Sequence, residues 1–99
     1  MAHTNIELNT FVDRPGFRSG IVTYPPEANT GDPAQHPGIE FLYVLTGRIE
    51  VTFGENKVIL EPGDQVSFDA REPHGGRNLA EGNSTFLFVV AEPAQLAAN

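Results

Sequence analysis

The chain has 99 residues and a mass of 10.7 kDa, which is the size of one ordinary domain and too small for multi-domain machinery. Six Lys and Arg against thirteen Asp and Glu give a formal net charge of −7, the wrong sign for neutralising phosphates, so we expect no direct nucleic-acid partner. The absence of Cys excludes disulfides and thiolate chemistry and leaves nitrogen and oxygen donors for any metal.

The beginning of the chain has none of the features of a targeting signal. It reads M-A-H-T-N-I-E, without a basic stretch followed by an apolar run, and about 18 consecutive apolar residues occur nowhere in the sequence. We therefore expect a cytoplasmic protein with no membrane partner, folded as a single domain over residues 1–99.

Turn-forming residues divide the chain into short segments. Eight Pro and ten Gly are spread along it, which disfavours long helices. Runs of β-branched and aromatic residues predict strands, in chain order, at 17–24, two within 39–53 divided at Thr46-Gly47, and at 57–60, 65–69 and 84–91. Residues 28–37 form the longest irregular stretch, and the tail at 93–99 is only weakly helical in composition. Many short strands at regular spacing indicate an all-β sandwich or barrel.

The strand predicted at 84–91 is strongly apolar, and we expect it to be central in its sheet. Alternation leaves two possible core faces, either Phe86 and Phe88 with Val90, or Leu87 with Val89.

Two histidines and one glutamate are candidate metal ligands. His36, Glu40 and His74 provide two imidazoles and a carboxylate, a set that suits Fe(II), Mn, Zn, Ni or Cu. In a fully extended strand the α-carbons of residues 36 and 40 would lie roughly 13 Å apart, too far for both side chains to reach one ion. Pro37-Gly38 can supply the necessary bend, which would fold Glu40 back beside His36.

Glu40 falls on the predicted interior face of its strand. Alternation places it with Leu42 and Val44, while Tyr43 faces outward. An unpaired buried carboxylate is costly or takes up a proton, and a coordinated cation removes that penalty. A register shifted by one residue would instead expose Glu40 on an edge strand.

Two motifs resemble those of the cupin family. The segment H-P-G-I-E-F-L-Y-V-L-T-G at 36–47 resembles the first cupin motif, and E-P-G-D-x9-H-x3-N at 61–78 resembles the second. The resemblance places the metal-binding histidines and glutamate of the family on His36, Glu40 and His74, and its asparagine on Asn78. It implies an all-β fold, the double-stranded β-helix or cupin-type jelly-roll barrel, with about eight strands and the barrel over about 17–91.

The sequence departs from the cupin pattern before His36. The first histidine of the usual H-x-H pair is replaced by Ala34, and the glycine that commonly begins the motif is replaced by Ala28. Gln35 is expected to point to the opposite face, so three ligands remain. Within the cupins, H-P-G-x-E-F at 36–41 together with P-G-D at 62–64 and P-H-G at 73–75 most resembles the sensory domains of certain helix-turn-helix regulators. It also resembles the related hydroxypropylphosphonate epoxidase, which uses such a triad.

We therefore expect a metal-binding domain. A divalent ion (Fe, Mn, Ni or Zn) held by the three ligands would bind a small polar ligand at its open face. A metal-dependent oxygenase or isomerase and a metal-free dimeric scaffold are the alternatives, and the sequence assigns no catalytic residue. Arg71 and Arg77 flank His74 as candidates for selecting a carboxylate or phosphonate ligand. Because so short a chain buries only a modest fraction of its surface, we expect a homodimer.

Overall fold

A computed structural model describes residues 5–93, which form two antiparallel β-sheets. In chain order the strands are β1 (Glu7–Arg14), β2 (Phe17–Tyr24), β3 (Ile39–Thr46), β4 (Ile49–Phe53), β5 (Asn56–Leu60), β6 (Gln65–Asp69), β7 (His74–Asn78) and β8 (Ser84–Ala91). One sheet has five strands in the order β1-β2-β8-β3-β6, and the other has three in the order β5-β4-β7. This architecture confirms the predicted all-β class.

Most strands lie where the sequence predicts them. The bounds of β2, β6 and β8 match the prediction, β3 and β4 divide at Gly47, and β5 begins one residue earlier than expected. The tail at 94–99 lies outside the described residues. Within 5–93, no helix is long and apolar enough to cross a membrane.

The core lies between the two sheets and is built from alternate residues of each strand. β8 is the middle strand of the five-stranded sheet, and of its two possible core faces the structure buries Phe86, Phe88 and Val90. Leu42 and Val44 of β3 are buried beside them, as alternation predicts. From the three-stranded sheet the core receives Ile49, Val51 and Leu60.

Asn78, at the end of β7, connects the two sheets. Its Nδ2 donates to the carbonyls of Tyr24 (3.1 Å), Pro25 (2.9 Å) and Gly82 (2.8 Å). Its Oδ1 accepts from the Ser84 hydroxyl at 2.6 Å and from a backbone N–H at 2.8 Å. The side chain therefore holds the end of β2 and the start of β8 against β7.

Candidate metal centre

The three predicted ligands come from separate places in the fold and converge at one point. His36 lies in the loop before β3, Glu40 is the second residue of β3, and His74 begins β7 in the opposite sheet. Glu40 Oε1 lies 3.2 Å from Nε2 of His36 and 3.4 Å from Nε2 of His74. One donor atom from each residue lies within 4.8 Å of the other two.

A bend at Gly38 brings His36 beside Glu40. Gly38 has a φ of +106°, a conformation that side-chain-bearing residues rarely adopt, and a Cβ there would lie 2.6 Å from the carbonyl oxygen of Ala91. Both sides of the bend are tied to Ala70, whose carbonyl accepts from the His36 N–H and whose N–H donates to the Gly38 carbonyl, each at 2.9 Å. The reversal predicted at Pro37-Gly38 is therefore present, and only glycine fits it.

Backbone carbonyls orient both imidazoles. Nδ1 of His36 lies 3.1 Å from the Pro37 carbonyl oxygen, and Nδ1 of His74 lies 2.9 Å from that of Glu72. Because a carbonyl oxygen can only accept, each Nδ1 carries a proton and donates, so in the neutral form of each ring the Nε2 lone pair is directed at Glu40. Three acceptor atoms then face one another, an arrangement that repels unless a cation lies between them.

The donor set fits a divalent metal ion. Nitrogen and oxygen ligands lie about 2.1 Å from such ions, so two ligands at tetrahedral or octahedral angles are about 3.0–3.4 Å apart. The two distances from Glu40 Oε1, 3.2 and 3.4 Å, lie within this range. The centroids of the two imidazole rings are 4.9 Å apart and the rings are nearly perpendicular, so they do not stack on each other where their donor atoms converge with Glu40. Imidazole and carboxylate donors suit Fe(II), Mn, Ni or Zn.

The three ligands lie on the wall of a cavity of about 310 Å³ between the sheets. Most of its other lining residues are apolar, among them Leu42, Val51, Phe68, Phe88 and Val90. Tyr24 also lines it, and burial, with a smaller contribution from the Glu40 charge, raises the pKa of this phenol well above its ordinary value. The hydroxyl therefore stays protonated and can donate a hydrogen bond within the cavity.

Ala34 occupies the position where the cupin pattern has a further histidine. It pairs with His74 through two backbone hydrogen bonds of 2.8 and 3.0 Å, and its methyl group lines the cavity. Gln35 points away from the ligands, as expected, because its Nε2 donates to the Arg71 carbonyl at 2.9 Å. The site is therefore limited to three protein donors among the described residues.

The other polar residues singled out near His74 are engaged elsewhere. Hydrogen bonds from Arg71 lower the pKa of Asp69 to about 2, and the two side chains are 2.7 Å apart. Arg77 pairs with Glu50 at 2.9 Å. Neither arginine lines the cavity, and Asn78 does not line it either.

An arginine that the sequence analysis did not single out does line the cavity. Arg18 lies on β2 at even spacing from Val22 and Tyr24, which line the cavity with it. Alternation counted back from Tyr24 would have placed Arg18 on the interior face.

Comparison with known proteins agrees with this architecture. The cupin domain of an XRE family transcriptional regulator from Enterobacter cloacae superposes with a TM-score of 0.82 at 20% identity, covering 91% of this chain and 99% of that one. A cupin superfamily protein from Desulfitobacterium hafniense gives 0.79 at 14% identity, with 93% and 82% coverage. These likenesses, with the two antiparallel sheets, establish the double-stranded β-helix.

An HTH_3 family transcriptional regulator from Vibrio cholerae is also similar. Its TM-score is 0.79 at 26% identity, and the match covers 90% of this chain but 52% of the regulator, so the present chain spans about half of that protein. No curated protein sequence matches the chain. The family model for the cupin domain matches residues 20–90, which include all three candidate ligands, and the chain belongs to the cupin domain family.

Proposed function

We propose that this domain binds a divalent metal ion through His36, Glu40 and His74, and that the ion binds a small polar ligand from the cavity. The observation that carries the proposal is the convergence of two imidazole nitrogens and one carboxylate oxygen within 4.8 Å of one another, with each Nδ1 occupied by a backbone carbonyl. Cupin domains often bind metals, which agrees with this arrangement.

The position of the three donors supports the proposal that the ion binds a small polar ligand from the cavity. All three line the cavity wall and would hold the ion from that side, which would leave it accessible to a further ligand from the cavity. When bound, the ion would act as a Lewis acid toward an oxygen of that ligand. The protein contributes an apolar enclosure and the protonated Tyr24 hydroxyl.

Metal content is the direct test. Untagged protein reconstituted with Fe(II), Mn, Ni or Zn should hold close to one ion per chain by elemental analysis. Replacing a ligand should lower the affinity by more than about 100-fold, because loss of a hydrogen bond that merely supports a ligand already costs roughly 10- to 100-fold. We expect this loss for both Glu40→Gln and His74→Ala.

The matched control is Glu55→Gln, an exposed carboxylate at the turn between β4 and β5. It should keep full metal content, and circular dichroism should show the same β-sheet signal in all variants. Wild-type protein that takes up none of the four metals would favour the metal-free scaffold and end this proposal. Full metal content in Glu40→Gln would also contradict the ligand set.

A further inference from the structure

Arg18 is a cationic side chain on the wall of the metal cavity that has no acidic partner among residues 5–93. Arg48, Arg71 and Arg77 each have a carboxylate oxygen within 4.0 Å, whereas Arg18 and the exposed Arg14 have none among these residues, and of these two only Arg18 lines the metal cavity. The nearest acidic residue by register is Asp13, directly across on β1, and its oxygens lie beyond that distance. No carboxylate of these residues occupies the Arg18 guanidinium, so its N–H groups can donate to a ligand in the cavity.

Strand pairing aligns Arg18 and Glu40 across the five-stranded sheet, in a row of paired residues that runs perpendicular to the strands. Arg18 lies opposite Val90, and Val90 lies opposite Glu40, so the two charged residues are separated by one strand. Two inter-strand spacings of about 4.8 Å put their α-carbons roughly 10 Å apart. All three side chains line the cavity, so the apolar Val90 lies between the guanidinium and the metal ligands.

The charges at the two ends of this row are complementary to an acid. A divalent ion held by Glu40 and two neutral imidazoles keeps one net positive charge, and Arg18 adds a second. The guanidinium binds a carboxylate through two parallel hydrogen bonds, which a hydroxyl or an amide cannot match. A ligand with an oxygen donor at one end, a carboxylate at the other and a short apolar segment between them fits both charges and Val90.

We infer that the cavity binds a small organic acid of this kind, with one oxygen end on the metal and a carboxylate on Arg18. The inference rests on the proposed metal site and names the class of ligand that the site takes. Arg18 is the specificity-determining residue in this arrangement. Because it lies at the exposed side of the cavity, it can be replaced without opening the core.

Matched diacids and monoacids test the inference. Calorimetric titration of the zinc-loaded protein with succinate, glutarate and adipate is compared with butyrate, pentanoate and hexanoate. The best diacid should bind about tenfold or more tightly than the monoacid of equal length, because its second carboxylate adds a charge-assisted bidentate pair with the guanidinium. Arg18→Gln should lower the affinity for the best diacid by about tenfold or more and so abolish this preference.

Arg71→Gln is the matched control, because Arg71 lies outside the cavity and is paired with Asp69. It should keep the preference for diacids. Equal binding of diacids and monoacids by the wild type, no binding of any diacid, or a preference that survives Arg18→Gln would each overturn the inference.

Zinc content measured on the same samples separates the two proposals. If the wild type and Arg18→Gln both contain zinc and show the same preference between diacids and monoacids, only the ligand class is contradicted. A wild-type chain without zinc would overturn the metal site and the ligand class together.

Discussion

Ala34 stands beside His74 at the position where the cupin pattern provides another histidine. The two residues are joined by a pair of backbone hydrogen bonds, and the Ala34 methyl group faces the cavity and is exposed. We therefore predict that Ala34→His adds a fourth donor and tightens zinc binding by about tenfold or more, or at least about 1.4 kcal/mol. Competition with a chromophoric chelator measures the change.

The neighbouring substitution Gln35→His is the control for this gain. It adds the same imidazole one residue further along, where the side chain turns away to the Arg71 carbonyl. Its zinc affinity should equal that of the wild type. An equal gain in zinc affinity in both variants would show that the added imidazole binds zinc at the protein surface and does not complete the candidate site.

The positions of the site residues could be predicted from sequence wherever a backbone rule applies. Alternation placed Glu40 with Leu42 and Val44 on the interior face, and the Pro-Gly pair at 37 and 38 predicted the bend. The orientation of the imidazoles depends on the Pro37 and Glu72 carbonyls, whose direction no periodicity reveals.

Arg18 was missed for a different reason. A charged residue near the start of a strand is ordinarily solvated, so the alternation that puts Arg18 on the interior face was not applied to it. Its alignment with Glu40 depends on pairing with β8, a strand distant in sequence, and no local pattern reveals it.

The two ends of β7 have different roles, since His74 begins the strand at the candidate metal site and Asn78 ends it between the sheets. Asn78→Ala removes five hydrogen bonds, two of which are buried, those to the Tyr24 carbonyl and from the Ser84 hydroxyl. We predict a loss of about 2–4 kcal/mol in the free energy of unfolding. Urea denaturation measures the loss. Zinc affinity should stay within about twofold in folded protein, because the strand separates Asn78 from the ligands by roughly 13 Å.

Asn83→Ala provides the comparison for this loss. Asn83 is exposed in the loop that precedes β8, so its replacement should change stability by about 0.5 kcal/mol or less. A stability change for Asn78→Ala as small as that for Asn83→Ala would contradict the assigned role.

Strand prediction succeeded where the sequence carries a run of β-branched and aromatic residues between turns and failed where it does not. β8 carries alternating buried residues that any period-two pattern reveals. β7 reads H-G-G-R-N, with two glycines and no β-branched residue, and it is held as a strand by pairing with β4. In β1 every residue is exposed, and a bulge between Thr10 and Val12 breaks the alternation. Pairing with a distant segment therefore determines β7, whereas β1 pairs with β2, the next strand in the chain, and its exposed, bulged pattern gives no period-two signal.

The assembly of the domain is expected to depend on β1. This strand is at the edge of the five-stranded sheet, with Leu8 and Phe11 exposed at 56% and 57% of their surface. An open edge with apolar side chains is a template for pairing with another strand. If two copies of β1 pair antiparallel about Thr10 and Phe11, Glu7 of each copy lies opposite Arg14 of the other, so opposite charges meet twice. We therefore expect a homodimer joined edge to edge through β1.

Phe11→Glu should convert this dimer to a monomer, because it places two like charges at the centre of the paired edge, where repulsion and lost apolar contact both oppose association. Light scattering coupled to size exclusion should give about twice 10.7 kDa for the wild type and 10.7 kDa for the variant. Ile59→Glu on β5, an edge strand of the other sheet with 48% of the side chain exposed, introduces the same charge away from β1 and should remain dimeric. A monomeric wild type would contradict the dimer itself. A dimer that Ile59→Glu dissociates and Phe11→Glu does not would show that the interface lies away from β1.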